Sequence, residues 1–159
     1  MKKFSWALLF LLILLGACFF DQGEKTGNFQ LYLTDSPLEG LEHVYVVIGA
    51  IKVKKEDGTV VTVLRGPKVY DLLALHNREE LLVDIELEAG TYTQIIVVLD
   101  SVSVVINGKT IQVDMVSGLE VVIHVVFTIT GDTSTQVVLD FEAALRNRGQ
   151  PGLRYRRLS

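Results

Sequence analysis

An internal disulfide and a multi-cysteine metal cluster are both excluded, because Cys18 is the only cysteine in 159 residues. Proline is scarce as well, with three in the chain, and no low-complexity stretch appears, so collagen-like and disordered readings fall away. An excess of positive charge is also missing. Fifteen Lys and Arg stand against nineteen Asp and Glu, and the net charge of −4 argues against nucleic acid as the main partner. No internal repeat is evident, which disfavours a propeller or a solenoid. What remains is a chain of single-domain length with 49% hydrophobic residues, enough to bury a core.

The hydrophobic content is of two kinds. Lys2 and Lys3 precede an unbroken apolar run from Trp6 to Leu15. As a helix that run spans about 15 Å, half of a hydrocarbon core of roughly 30 Å. It is too short to cross a membrane well and fits the core of a signal peptide. Leu15-Gly16-Ala17-Cys18 follows directly and resembles the lipobox of bacterial lipoproteins, in which the cysteine becomes the lipid-bearing first residue after cleavage. The organisation expected is a signal peptide over 1–17, a lipidated Cys18 and tether over 18–27, and a folded domain over 28–159. Cleavage removes two lysines and no acid, leaving 142 residues with a net charge of −6 and no tryptophan.

The second kind of hydrophobicity is β-branched. Val, Ile and Thr supply 42 of the 142 residues after Ala17, and such side chains favour pleated surfaces. Asp21 to Asn28 is polar and reads as the tether. Strands are expected at Phe29–Leu33, Val44–Val53, Val60–Leu64, Leu81–Leu87, Thr91–Leu99, Val102–Ile106, Thr110–Val113, Val121–Ile129, Gln136–Phe141 and Leu153–Leu158. Alternation changes parity in the second of these, which predicts a β-bulge near Gly49 or Ala50. Asp57-Gly58 and Asn107-Gly108 read as hairpin turns. Tyr70 to Leu75 reads as a strand end followed by one helical turn. Thr91–Leu99 and Val121–Ile129 read as central strands. The pattern predicts an all-β fold, an antiparallel two-sheet β-sandwich of about nine strands.

Several segments, taken in order, resemble the bacterial and archaeal family named domain of unknown function 4382. They are Leu33-Thr34-Asp35-Ser36-Pro37, the Val44–Val53 strand, Asp71-Leu72-Leu73-Ala74-Leu75, Ala89-Gly90-Thr91-Tyr92-Thr93-Gln94-Ile95 and Leu139-Asp140-Phe141. The resemblance implies a secreted or lipid-anchored protein and no assigned activity. It also implies a basic residue soon after the Gly-Thr-Tyr segment, where this chain has Ile96. Leu87-x-x-Gly90-x-Tyr92 looks like the turn into a strand of transthyretin-like and fibronectin-like (immunoglobulin-type) sandwiches. That gives Gly90 and Tyr92 a structural role, with the Tyr92 hydroxyl bonding back to nearby backbone.

Chemistry-bearing residues are few. His43, His76 and His124 lie too far apart in sequence to form a local metal pair. No serine has a nucleophile-elbow context and no Gly-rich phosphate loop occurs. Asp84, Glu86 and Glu88 alternate and so share one face of a strand, a solvated row or a weak cation site. Asp35, Asp100 and Asp140 each stand at or near a strand end. Either those ends converge and the carboxylates form a Ca²⁺ site, or each side chain caps its own turn. Beyond that Ca²⁺ no cofactor is indicated. Arg146, Arg148, Arg154, Arg156 and Arg157 make the C-terminal stretch basic, which suits either a charge-guarded edge strand or contact with anionic headgroups. The function expected is a non-enzymatic, exported lipoprotein module of the cell envelope. Its partners are the membrane through Cys18 and an envelope protein or glycan, and carbohydrate binding is the alternative.

Overall fold

A computed structural model describes residues 25–34, 40–76, 78–142 and 152–158, with 141–142 and 152–158 described by their backbone only. The strands are β1 (Thr26–Thr34), β2 (His43–Lys55), β3 (Val60–Asp71), β4 (Glu80–Glu88), β5 (Gly90–Ile106), β6 (Lys109–Gln112), β7 (Leu119–Ile129), β8 (Ser134–Glu142) and β9 (Gly152–Leu158). A single 3₁₀ turn, Leu72–Leu75, follows β3, as the Tyr70–Leu75 pattern predicts. One sheet has the order β4-β1-β8-β9. The other runs β3-β2-β5, and the far edge of β5 carries β7 along residues 90–99 and β6 along residues 103–106. Sequence and structure agree on an all-β two-sheet sandwich. Among the described residues all pairings are antiparallel except one, since β8 lies parallel to β1.

Odd residues of β1 and β7 make the core. Phe29, Leu31 and Leu33 face Ile123, Val125, Phe127 and Ile129, all at most 5% exposed. Phe127 stacks on Phe29 of the opposite sheet and on Tyr92 of its own, each at 5.2 Å between ring centroids. The predicted bulge is present. Pairing on both sides of β2 shifts register between Ile48 and Ala50. A side chain at Gly49 would bring its Cβ to 2.6 Å from a carboxylate oxygen of Asp100. A Cβ at Gly66 would meet the carbonyl oxygen of Ile48. Both glycines therefore stand where backbone and carboxylate approach too closely for a Cβ. Asn107 and Gly108 take positive φ of 50° and 69°, the backbone of the expected tight hairpin.

Four expectations are corrected. The segments Thr91–Leu99 and Val102–Ile106 are one strand of 17 residues, because the space over Gly49 lets Asp100 sit within the sheet rather than at its end. β3 continues past Leu64 to Asp71, carried by its pairing with β2 from Tyr45 onward. β1 begins at Thr26, so three residues assigned to the tether are strand, held by β4 and β8. The expected strand at Leu81–Leu87 is present as β4, where Leu82 and Val83 are both buried at a register shift against β1 at Leu31 and Tyr32. β7, read as central, is an edge strand: among the described residues it pairs with β5 alone.

Phe127→Ala should lose about 3–5 kcal/mol in urea unfolding, since it removes the ring that both neighbours stack on. Val126→Ala, at a position 64% exposed one residue away, should stay within about 0.5 kcal/mol. Equal losses would contradict the assignment of faces on β7.

Candidate functional site

The outer face of the β4-β1-β8 sheet carries the most organised polar chemistry among the described residues. Alternation along β1 sends Asn28, Gln30 and Tyr32 outward while Phe29, Leu31 and Leu33 go in. Register then sets Gln30 between Asp84 of β4 and Gln136 of β8, and Asn28 between Glu86 and Ser134. Both carboxylate oxygens of Asp84 accept amide hydrogens, from Asn28 Nδ2 at 2.7 Å and Gln30 Nε2 at 3.1 Å. Gln30 Oε1 accepts from Gln136 Nε2 at 2.8 Å and from the Tyr32 hydroxyl at 3.2 Å. Asn28 Oδ1 accepts from Ser134 Oγ at 2.9 Å. These bonds fix which way each amide points. At the start of β1 the row opens into a concavity of about 560 Å³, lined by Asn28, Gln30, Glu86, Asp132, Thr133 and Ser134 among others. Carboxylates, amides and hydroxyls held in one orientation are suited to hydrogen-bonding a polyhydroxylated ligand.

At the same end of the sandwich, Tyr92 is fully buried and its hydroxyl donates to Glu88 O at 3.0 Å. Gly90 has φ +149°, a conformation side chains rarely adopt. Lys55 of β2 pairs with the Glu88 carboxylate and its Nζ lies 5.9 Å from the Tyr92 ring centroid. The hydrogen bond to Glu88 raises the Lys55 pKa, and burial raises that of Tyr92.

Residues 26–151 match the family described as Domain of unknown function (DUF4382). The chain belongs to this family. No curated protein and no solved structure matches it.

Where the segments that carry the resemblance are described, their residues take up structural positions. Leu72, Leu75 and Leu139 are buried, and Asp71 closes β3. Ile96, where the resemblance implies a basic residue, is 9% exposed on the outer face of β5 between Lys52 and Val122. Lys52 reaches across to Glu120 of β7 at 2.7 Å.

Of the three acids considered for Ca²⁺, the two within the described residues lie on different sheets. Asp100 lies against Gly49 in mid-β5, not at a strand end. Asp140 lies on β8 of the other sheet, opposite Thr34 and Arg154, and Asp35 falls outside the described residues. Among the described residues no three His, Cys, Asp or Glu side chains gather as a metal site. Asp84, Glu86 and Glu88 alternate as read, but serve three different ends: Asp84 the amide row, Glu86 the concavity, Glu88 the Lys55 pair. Cys18, Arg146 and Arg148 lie outside the described residues, and β9 places Arg154 and Arg156 opposite Asp140 and Val138 by backbone alone.

Two groupings had no sequence signal. Gln136 meets Gln30 across 106 residues through the parallel β1–β8 pair. His43 Nδ1 lies 2.6 Å from Asp71 Oδ2 and its ring stacks on Tyr45 at 5.4 Å, with two bulges between the partner strands hiding the register. His124 is exposed on β7, 3.5 Å from Gln94 Nε2.

Stability should fall on the alkaline side. The pKa values of Tyr70 and Tyr92 are raised from 10.0, chiefly by burial, and that of Lys55 from 10.5 by Glu88. A group raised on folding contributes fully below its unfolded pKa and loses that contribution as pH rises through the folded value. Melting temperatures should therefore decline above about pH 10. Tyr92→Phe should cost about 1 kcal/mol at neutral pH and flatten the decline. A decline as steep in Tyr92→Phe as in the parent would remove Tyr92 from this account.

Proposed function

We propose that the chain is a non-enzymatic, lipid-anchored β-sandwich module of the cell envelope, held to the membrane through Cys18 and presenting its domain to an envelope partner. The observation that carries this reading is Leu15-Gly16-Ala17-Cys18 directly after a lysine-led apolar run, with the only cysteine at the position a lipobox requires. Seven residues, 19–25, separate Cys18 from the first strand at Thr26. Fully extended, they reach about 25 Å, so the domain stays close to the headgroups. One acyl chain holds a protein only marginally, and the several chains of a bacterial lipoprotein give stable attachment. The acidic domain, with net charge −6 after cleavage, is not drawn to anionic lipid by its overall charge, which leaves retention to the anchor.

Cys18→Ala should move the protein from the membrane fraction to a soluble or unprocessed form. A mature-sized chain that still fractionates with membranes would refute lipidation there.

A second reading, recognition of a cell-surface glycan, is supported by the oriented row of Asp84, Asn28, Gln30, Gln136 and Tyr32 beside the concavity. On a glycan array the parent should bind and Gln30→Ala should lose that signal, because Gln30 links Asp84 to Gln136 and Tyr32. Background binding by the parent removes this reading and leaves the anchoring proposal intact.

A further inference from the structure

Natural sheets guard their edges with charge, proline or a bulge, since an open edge offers backbone hydrogen bonds to any passing strand. Most edges here follow that rule. β3 carries Arg65, Pro67 and Lys68, and β4 carries Glu80, Asp84, Glu86 and Glu88. β9 carries Arg154, Arg156 and Arg157, and the four-residue β6 carries Lys109. β7 departs from it. Leu119–Ile129 has no Lys, Arg or Pro, and its only charged side chain, Glu120, is tied to Lys52. Among the described residues no second strand pairs with it. Its outer face exposes Val122 at 44% and Val126 at 64%, beside His124.

The sequence of this edge is symmetric about His124. Turned antiparallel on itself, Val121-Val122-Ile123-His124-Val125-Val126-Phe127 sets Val122 opposite Val126, Ile123 opposite Val125 and Val121 opposite Phe127. Inward residues meet inward residues, and outward valines meet outward valines. Glu120 meets Thr128, so no fixed charge faces its like. Moving the axis to residue 123 or 125 would place His124 opposite a valine instead. We propose that a second copy of the chain pairs antiparallel along β7, on a two-fold axis through His124, joining the two β3-β2-β5-β7 sheets into one. Such an interface is isologous and closed, which uses the least guarded edge once and leaves none for further growth.

The register gives a direct test on the full chain in detergent. Residues on the axis have Cβ atoms about 4.5–5.5 Å apart, within reach of a disulfide. His124→Cys should therefore form a covalent dimer under mild oxidation, with the unsubstituted chain as control for Cys18. Val126→Cys should stay at the control level, because the two copies of that position lie four residues out of register, about 13 Å apart. In sedimentation the parent should run as a dimer and Val126→Lys as a monomer with unchanged circular dichroism. Val69→Lys, at a β3 position 64% exposed, should leave the dimer intact. A monomeric parent, a dimer that survives Val126→Lys, or cross-linking at 126 equal to that at 124 would each overturn the proposal.

Discussion

The sandwich depends on three stacked rings. Phe29 belongs to one sheet, and Phe127 and Tyr92 to the other, so Phe127 packs face to face on a partner across the core and on a neighbour within its own sheet. Sheets that pack face to face lie about 10 Å apart, and large flat side chains fill that gap with few rotamers to lose. Tyr92 adds a polar restraint at the rim. Its hydroxyl holds the carbonyl of Glu88 at the end of β4, while Lys55 from β2 closes over the ring and pairs with the Glu88 carboxylate. One residue thus ties the edge of one sheet to two strands of the other. Gly90 is what lets the chain turn from β4 into β5 there, at a φ that a side chain would resist.

A second constraint sits at the Gly49 bulge. β5 is long enough to serve β7 with its first half and β6 with its second. Its register against β2 slips at Val47, Ile48 and Ala50, with Asp100 filling the space that Gly49 leaves open. Gly66 of β3 approaches the same place from the other side. A strand of 17 residues that read as two in sequence is therefore continuous because its neighbours yield at the one point where it carries an acid.

Local pattern made most of the elements legible. The alternation of Val121 to Ile129, the parity change at Gly49 and the Asn107-Gly108 turn each reflect short-range rules, and each has its counterpart in the structure. The misreadings have one physical origin. Whether a strand is central or at an edge, and whether an Asp ends a strand or rides within it, depends on what lies beside it. β7 is valine-rich like a central strand yet, among the described residues, has a partner on one side only. The polar row was half visible. Asp84, Glu86 and Glu88 could be placed on one face from their spacing, whereas Asn28 looked like tether and Gln136 lay more than a hundred residues from its partner. A parallel pairing between the first strand and the eighth leaves no local trace.

Topology also relates the polar row to the proposed anchor. β1 lies between β4 and β8, so a tether joined at Thr26 pulls on a strand hydrogen-bonded along both edges. Its start is held further by Ala89 N, which donates to Lys25 O at 2.6 Å, and by Asp132 N, which donates to Thr26 O at 3.3 Å. A load entering there is shared across the sheet rather than peeling an edge. The concavity formed by Asn28, Glu86, Asp132 and Ser134 surrounds that same entry point. Were Cys18 lipidated as proposed, a tether reaching about 25 Å would hold this end of the sandwich close to the membrane. The end bearing His43, Asp71 and the Asn107-Gly108 hairpin would then point away from it. A ligand held by the amide row would consequently lie near the membrane surface, which favours a component of the envelope itself over a soluble one.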